Sequence, residues 1–316
     1  MRWLGLCAVL VGCGFRSNRA PDGGEPEGDG APPDGDPDAG SDCFAQWRDG
    51  PLQLSTPQKL STLTGAGDDR DPWISGDQRT LYFTSNRNGI QEIFRATRMS
   101  PSGAFGPPER LVNLTVSNKD QERAALTADE RTLVLASNRG AGGKFELFIS
   151  LRPDRVTEFG SPNQDHLEMV NARNADSQDP FLSSDGRTLY LTQNTGGPSH
   201  PRIMFATRID TGSDFAPPND LGGINQNGSD TGDPALALDD RVIVFSTNRD
   251  GGPGSRDLWY ATRVDAFHEF SSPGPIPMVN TGEDDADPML SADGCQLYFA
   301  STFEEDFNLY VSDVAH

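Results

Sequence analysis

The chain has 316 residues, a length that fits one large domain or two small ones. It carries 47 Asp and Glu against 26 Lys and Arg, a formal net charge of −21, with an isoelectric point near 4.4. Charge of that sign argues against binding nucleic acid or an anionic membrane surface and suits cationic partners or divalent cations.

Arg2 gives a short positive lead, and Trp3 to Gly12 form an apolar run too short to span a bilayer. The run ends in Leu10-Val11-Gly12-Cys13, which resembles the bacterial lipobox. That resemblance implies cleavage before Cys13 and acylation of its thiol. Because Gly14 rather than Asp follows, it implies an outer-membrane lipoprotein facing the periplasm or the cell surface. Residues 1–12 are thus expected to be a lipoprotein signal peptide. Residues 13–42 are dominated by Pro, Gly, Asp and Glu, cannot bury enough apolar surface to order themselves, and read as an acidic disordered tether. Residues 43–316 form the folded domain. No later segment reaches 18 consecutive apolar residues, so the lipid is the only membrane attachment expected. Once the signal is removed and Cys13 acylated, Cys43 and Cys295 are left, and an even pair in an exported protein suggests a disulfide.

The folded region is repetitive. One unit runs from Asp68 through Asp71-Pro72-Trp73-Ile74-Ser75, Asp77 and Thr80-Leu81-Tyr82-Phe83-Thr84-Ser85-Asn86-Arg87 to Glu92-Ile93-Phe94-Arg95-Ala96. The pattern returns with anchors at Arg123-Ala124, Asp179-Pro180, Asp233-Pro234 and Asp287-Pro288, at intervals of 52 to 56 residues. Each unit parses into four strands, here a to d. Strand a follows the anchor. A tight turn carries Asp77, Asp129, Asp185, Asp239 or Asp293, whose carboxylate suits a bond to the N–H two residues on. Strand b is β-rich and reads as alternating, and a Gly-rich hairpin leads to strand c. Strand d lies near Phe105 to Leu111, where its prolines suit an outer edge.

The two ends set the count. Leu54 to Thr64 lines up with Phe105 to Thr115, a strand d with nothing before it, and the chain stops after a strand c at Asn308 to Ser312. The orphan strand d is expected to complete the last unit. This gives an all-β fold, a single five-bladed β-propeller of four-stranded antiparallel blades, with a Cys43–Cys295 disulfide at the same seam.

The Asp-Pro, Ser-x-Asp-Gly, Leu-Tyr-Phe-x-Ser-x-Arg grammar resembles the TolB-type, WD40-like β-propeller repeat over residues 54 to 316. The resemblance implies the fold but no activity, because that family hosts binding modules, scaffolds and protease domains alike. TolB itself has six shorter repeats, so its partners do not carry over to five longer ones.

Candidate site residues follow from comparing the copies. Asp68, Asp120, Asp176, Asp230 and Asp284 recur three residues before each anchor, and Asp71, Asp179, Asp233 and Asp287 hold four of the five anchors. With strand a innermost, these nine aspartates form an acidic ring at the channel mouth, near Arg87, Arg139 and Arg249. Two roles fit: an Asp–Arg latch within or between blades, or a ring that binds a cation such as Ca²⁺. Blades three and five lack the Arg, having Asn194-Thr195 and Thr302-Phe303, and are where a cation would sit. No catalytic residues stand out. The histidines His166, His200, His268 and His316 lack metal spacing, and the serine-hydrolase elbow and the phosphate loop are absent. The channel carboxylates repeat as scaffold residues do. The chain is therefore expected to be a monomeric, non-enzymatic binding or scaffold module for an envelope protein or glycan, without a cofactor other than Ca²⁺. The alternative is a carbohydrate-active hydrolase using channel carboxylates.

Overall fold

The computed structural model describes residues 42–172, 174–194 and 200–315. The signal peptide, Cys13 and the tether up to residue 41 lie outside the described residues. The described chain folds into five antiparallel sheets, one per repeat, arranged as blades of a propeller.

Blade one consists of Asp69–Ile74, Thr80–Ser85, Glu92–Thr97 and Glu109–Arg110, strands a to d from the channel outward. Blades three and four repeat this plan, from Asp176–Leu182 to Asn219–Asp220 and from Thr231–Ala237 to Gly274–Pro275. Blade two keeps strands a to c, but its outer strand shrinks to one antiparallel bridge between Ile149 and Asn163. Blade five takes strands a to c from Asp285–Leu290, Gln296–Ser301 and Asn308–Asp313. Its strand d is Gln58–Lys59, pairing Gln58 with Val311 and Lys59 with Tyr310, so the expected seam is present.

Backbone bonds from Ser55 to Asp313 and from Leu60 to Leu309, both at 2.8 Å, extend this pairing, and a disulfide and a helix fasten the seam further. Cys43 and Cys295 are joined in a disulfide. Cys43 sits on a helix, Asp42–Asp49, that the repeat pattern did not foretell. Trp47 of that helix is buried, donates its indole N–H to the Gly294 carbonyl at 2.8 Å and meets Tyr260 of blade four edge-on.

Strand b departs from the expected alternation. Leu81, Tyr82 and Phe83 are all buried, as are Leu297, Tyr298 and Phe299. Each blade is packed between two neighbours, so both faces of its middle strand lie in the core, and residues that look half-polar on a lone sheet are covered.

Two sets of contacts bind blade to blade. At one end, the N–H groups of Asp69, Gln121, Ser177, Thr231 and Asp285 donate to carbonyls just before strand c of the preceding blade, at 2.8–2.9 Å. Farther out, Arg98, Arg152 and Arg263, which follow strand c, reach the hydroxyls of Tyr298, Tyr82 and Tyr190 in the preceding blade at 3.0–3.3 Å. Arg208 is their counterpart in blade three. The matching position in blade two is Val134, which has no hydroxyl, and Arg208 donates its Nε to the Gly186 carbonyl of its own blade at 2.8 Å.

Candidate active site in the channel

The channel is shaped by a backbone device that the anchors share. Asp71, Arg123, Asp179, Asp233 and Asp287 all have φ between 45° and 56°, the left-handed region. At each anchor strand a slips register against strand b, a β-bulge. Asp tolerates this conformation better than most side chains. The bulge turns residue after residue inward where a regular strand would send every second one away.

The cavity in the channel measures about 250 Å³, and its lining includes Arg70, Asp71, Glu122, Gln178, Asp179, Asp233, Arg256 and Asp287. The four anchor aspartates thus face one space. The other five, Asp68, Asp120, Asp176, Asp230 and Asp284, are not in that lining. They sit at the blade boundaries, where their carboxylates accept from the residues before the preceding strand c. Phe307 N–H reaches Asp68 at 3.1 Å, Gln91 N–H reaches Asp120 at 3.2 Å and Phe145 N–H reaches Asp176 at 2.9 Å. At Asp230 the corresponding residue is Pro201, which has no N–H, and His200 Nδ1 takes over at 2.7 Å. Asp284 is met by the Ser255 hydroxyl. The Asn of the Asn-Arg pair closes the latch within the blade, as Asn138 does on Asp120 at 3.0 Å. Among the described residues no three or more His, Cys, Asp or Glu side chains are grouped to hold a metal ion. His166 and His268 pair with Asp214 and Asp265, away from the channel.

Five carboxylates and two arginines line the cavity, and a third arginine, Arg123, lies close to Asp71. Arg70 grips Asp287 through two nitrogens, at 2.8 and 3.4 Å. Arg256 lies 3.4 Å from Asp233, which also accepts from the Ser246 hydroxyl. Arg123, the exceptional anchor, is buried, donates to the Pro234 carbonyl at 3.2 Å and stands 3.9 Å from Asp71. Gln178 donates to Glu122 at 3.1 Å.

This arrangement divides the carboxylates by protonation. Burial, reinforced by the Asp287 carboxylate, pushes Asp71 up to about 8. Burial and the nearby Asp179 push Glu122 up to about 7, and burial and Asp233 raise Asp179 well above the carboxylate range. Asp233 goes the other way: burial opposes its charge, but Arg256 and Arg123, with the Ser246 hydroxyl, hold it down to about 2.

The raised acids have a consequence for stability. The folded chain keeps protons on Asp71 and Glu122 that the unfolded chain has released between about pH 4 and pH 8, so stability falls as pH rises through that window and levels off above it. Urea unfolding is expected to show a loss on the order of 3 kcal/mol between pH 5 and pH 8. Asp71→Asn should flatten that slope; an unchanged slope would contradict the assignment.

The residue before each anchor is the one that the sequence comparison passed over. It is Arg70, Glu122, Gln178, Gly232 and Ala286 in blades one to five. The anchor repeats, but its neighbour differs in every blade, and in blades one, three and four both line the cavity, whereas blade two contributes Glu122 and blade five contributes Asp287. The signal was available as variation at a fixed register beside a constant residue.

No protein-family model matches this chain, and no curated protein is similar to it in sequence. Solved structures are similar in fold. An endo-arabinase from Bacteroides thetaiotaomicron is 14% identical with a TM-score of 0.58, over 84% of this chain and 98% of that one. A thermostable family-43 glycoside hydrolase is 12% identical with a TM-score of 0.54, over 80% of this chain and 90% of that one. TolB from Acinetobacter baumannii is 14% identical with a TM-score of 0.49, over 81% of this chain and 56% of that one. The expectation of a non-enzymatic domain is corrected here. Solved structures similar to this fold include glycoside hydrolases and α-L-arabinofuranosidases, at low identity, so the ring is one on which such enzymes are built. Repetition of the channel aspartates therefore carries no weight against catalysis, and the unlike residues beside them supply the asymmetry that the repeat lacks.

Proposed function

We propose that the protein is a glycoside hydrolase acting in its channel, with Glu122 as the proton donor and Asp233 as the ionised carboxylate. The observation that carries this reading is that one cavity is lined by two carboxyls in unlike surroundings: Glu122, which burial and Asp179 push up to about 7, and Asp233, which Arg256 and Arg123 hold down to about 2. Hydrolysis of a glycosidic bond needs that division: an acid to protonate the leaving oxygen, and a carboxylate to activate water or to stabilise positive charge at the sugar. Gln178 orients Glu122, and Arg256 with Ser246 keeps Asp233 charged. The fold shared with an endo-arabinase and an α-L-arabinofuranosidase supports testing arabinose-containing glycans first. In this reading the lipobox-like segment ending at Cys13 tethers the enzyme to the cell envelope.

The test is hydrolysis of arabinan and of aryl α-L-arabinofuranosides by the purified domain. Glu122→Gln is expected to lower kcat by about 10³-fold with little change in KM, the scale of lost proton transfer. The wild-type rate should decline above about pH 7, as Glu122 loses its proton. No turnover on any glycan of a broad panel, or a Glu122→Gln rate equal to wild type, would sink the reading.

A further inference from the structure

Strand a of each blade carries its anchor at the end where the cavity lies and runs from there toward the other end of the channel. Past the anchors the channel is dry. The second residue after each anchor, Trp73, Ala125, Phe181, Ala235 or Met289, is buried in every blade, and so are the two that follow it. These strands are the innermost of their blades, so a channel open right through would wet them.

Arg123 spans the ring between the cavity and this dry segment. From blade two its guanidinium reaches the carbonyls of Pro234 in blade four and Pro288 in blade five, at 3.2 and 3.5 Å. Its backbone N–H donates to the Thr84 hydroxyl of blade one at 2.9 Å. Both prolines come directly after anchors that line the cavity, so the side chain bars the way just past them.

What remains is a blind pocket of about 250 Å³, the bulk of roughly eight waters at ~30 Å³ each. That is the size of one sugar ring and not of a run of rings. Asp233 lies inside at 3% exposure, and Glu122 lines the same space. To bring a glycosidic bond to both, a sugar has to enter the pocket while the sugar across the bond stays at the mouth. A unit from the middle of a chain has a neighbour on each side, and the second neighbour has no exit. An internal bond is better served by a shallow cleft, with its carboxyls exposed along the floor. Both arginines of the lining are held by aspartates of the lining, Arg70 by Asp287 and Arg256 by Asp233, so the carboxylate of a sugar acid would meet like charge.

We propose that the channel is an end-on pocket for a single uncharged terminal sugar, and that the protein trims glycans from chain ends or branch tips, releasing monosaccharides. This rests on the hydrolase reading and narrows it from glycans in general to those that offer free neutral ends.

The test follows products and size dependence with the purified protein, arabinan being the first substrate. Wild type should release monosaccharide alone from the earliest samples, with reducing ends rising while viscosity barely falls. Glu122→Gln keeps the pocket and loses the acid. In calorimetry it should bind L-arabinose, bind arabinobiose and arabinotetraose within about threefold of that affinity, and bind D-galacturonate at least about tenfold more weakly. Oligosaccharides among the first products, or an affinity that climbs more than about tenfold from one sugar to four, would show an extended cleft. Either result overturns the proposal and leaves the hydrolase reading intact, as does galacturonate binding as well as arabinose. Failure of wild type to turn over any glycan of the panel removes the hydrolase reading and this proposal with it.

Discussion

Removing the disulfide, as Cys43→Ser with Cys295→Ser, is expected to cost about 5 kcal/mol of stability, more than any other pair of conservative changes outside the channel. The bond spans 252 residues, nearly the whole ring. In the loop-entropy account, the denatured chain gains most when so long a loop is released. The rest of the seam is a short zipper: Gln58 and Lys59 pair with blade five, backbone bonds at Gln53, Ser55 and Leu60 flank them at 2.8–2.9 Å, and the helix bearing Cys43 is anchored by Trp47. Thermal melts of the double variant, and of wild type with and without reductant, check this. The two reduced forms should melt together and well below the oxidised protein; coincident curves for all three would show that the seam does not need the bond.

Arg123→Met should destabilise the fold by about 3–5 kcal/mol near pH 8, the scale of an uncompensated buried charge. Arg123 is buried at the channel, and its charge opposes the raised titration of Asp71 and Asp179 and helps to keep Asp233 ionised. Methionine keeps the volume and removes the charge. Because Asp71 and Glu122 hold protons at lower pH, the deficit should shrink at pH 5. Urea titrations at both pH values separate this from a packing defect, which would cost the same at each. An equal loss at pH 5 and pH 8 would refute the electrostatic role.

The ring and its closure were legible because they rest on spacing. Anchors at near-constant intervals, an orphan outer strand at one end and an unfinished blade at the other leave little choice of topology. The Asp-turn reading was legible too: Asp77, Asp129, Asp185 and Asp293 accept the N–H two residues on at 2.9–3.1 Å. Asp239 does not, because Leu238, Asp239 and Asp240 form a tighter turn, all at positive φ. The sites were less legible. A left-handed bulge leaves no trace in hydrophobic periodicity, so the sequence did not reveal that in three blades the anchor and its predecessor would line the same cavity. Nor did it show that aspartates only three residues apart would separate into channel lining and blade latch. Arg87, Arg139 and Arg249 were expected beside the aspartates, yet each ends on a carbonyl of the preceding segment, and only Arg87 also meets a carboxylate, that of Asp69. The protonation of Glu122 depends on burial and on neighbours about one repeat away in sequence, which composition does not encode.

The seam also dictates a timetable. Gln58 and Lys59 emerge early from a ribosome or a translocon, whereas the strand that receives them, Asn308–Asp313, arrives about 250 residues later. Until then the first outer strand waits with its backbone unpaired, and the fourth blade has only one neighbour. Closure therefore waits for the fifth blade, and it rests on contacts of very long range and is correspondingly slow. A nascent chain stalled short of residue 308 should behave as an open arc that recruits chaperones, not as a smaller version of the finished ring.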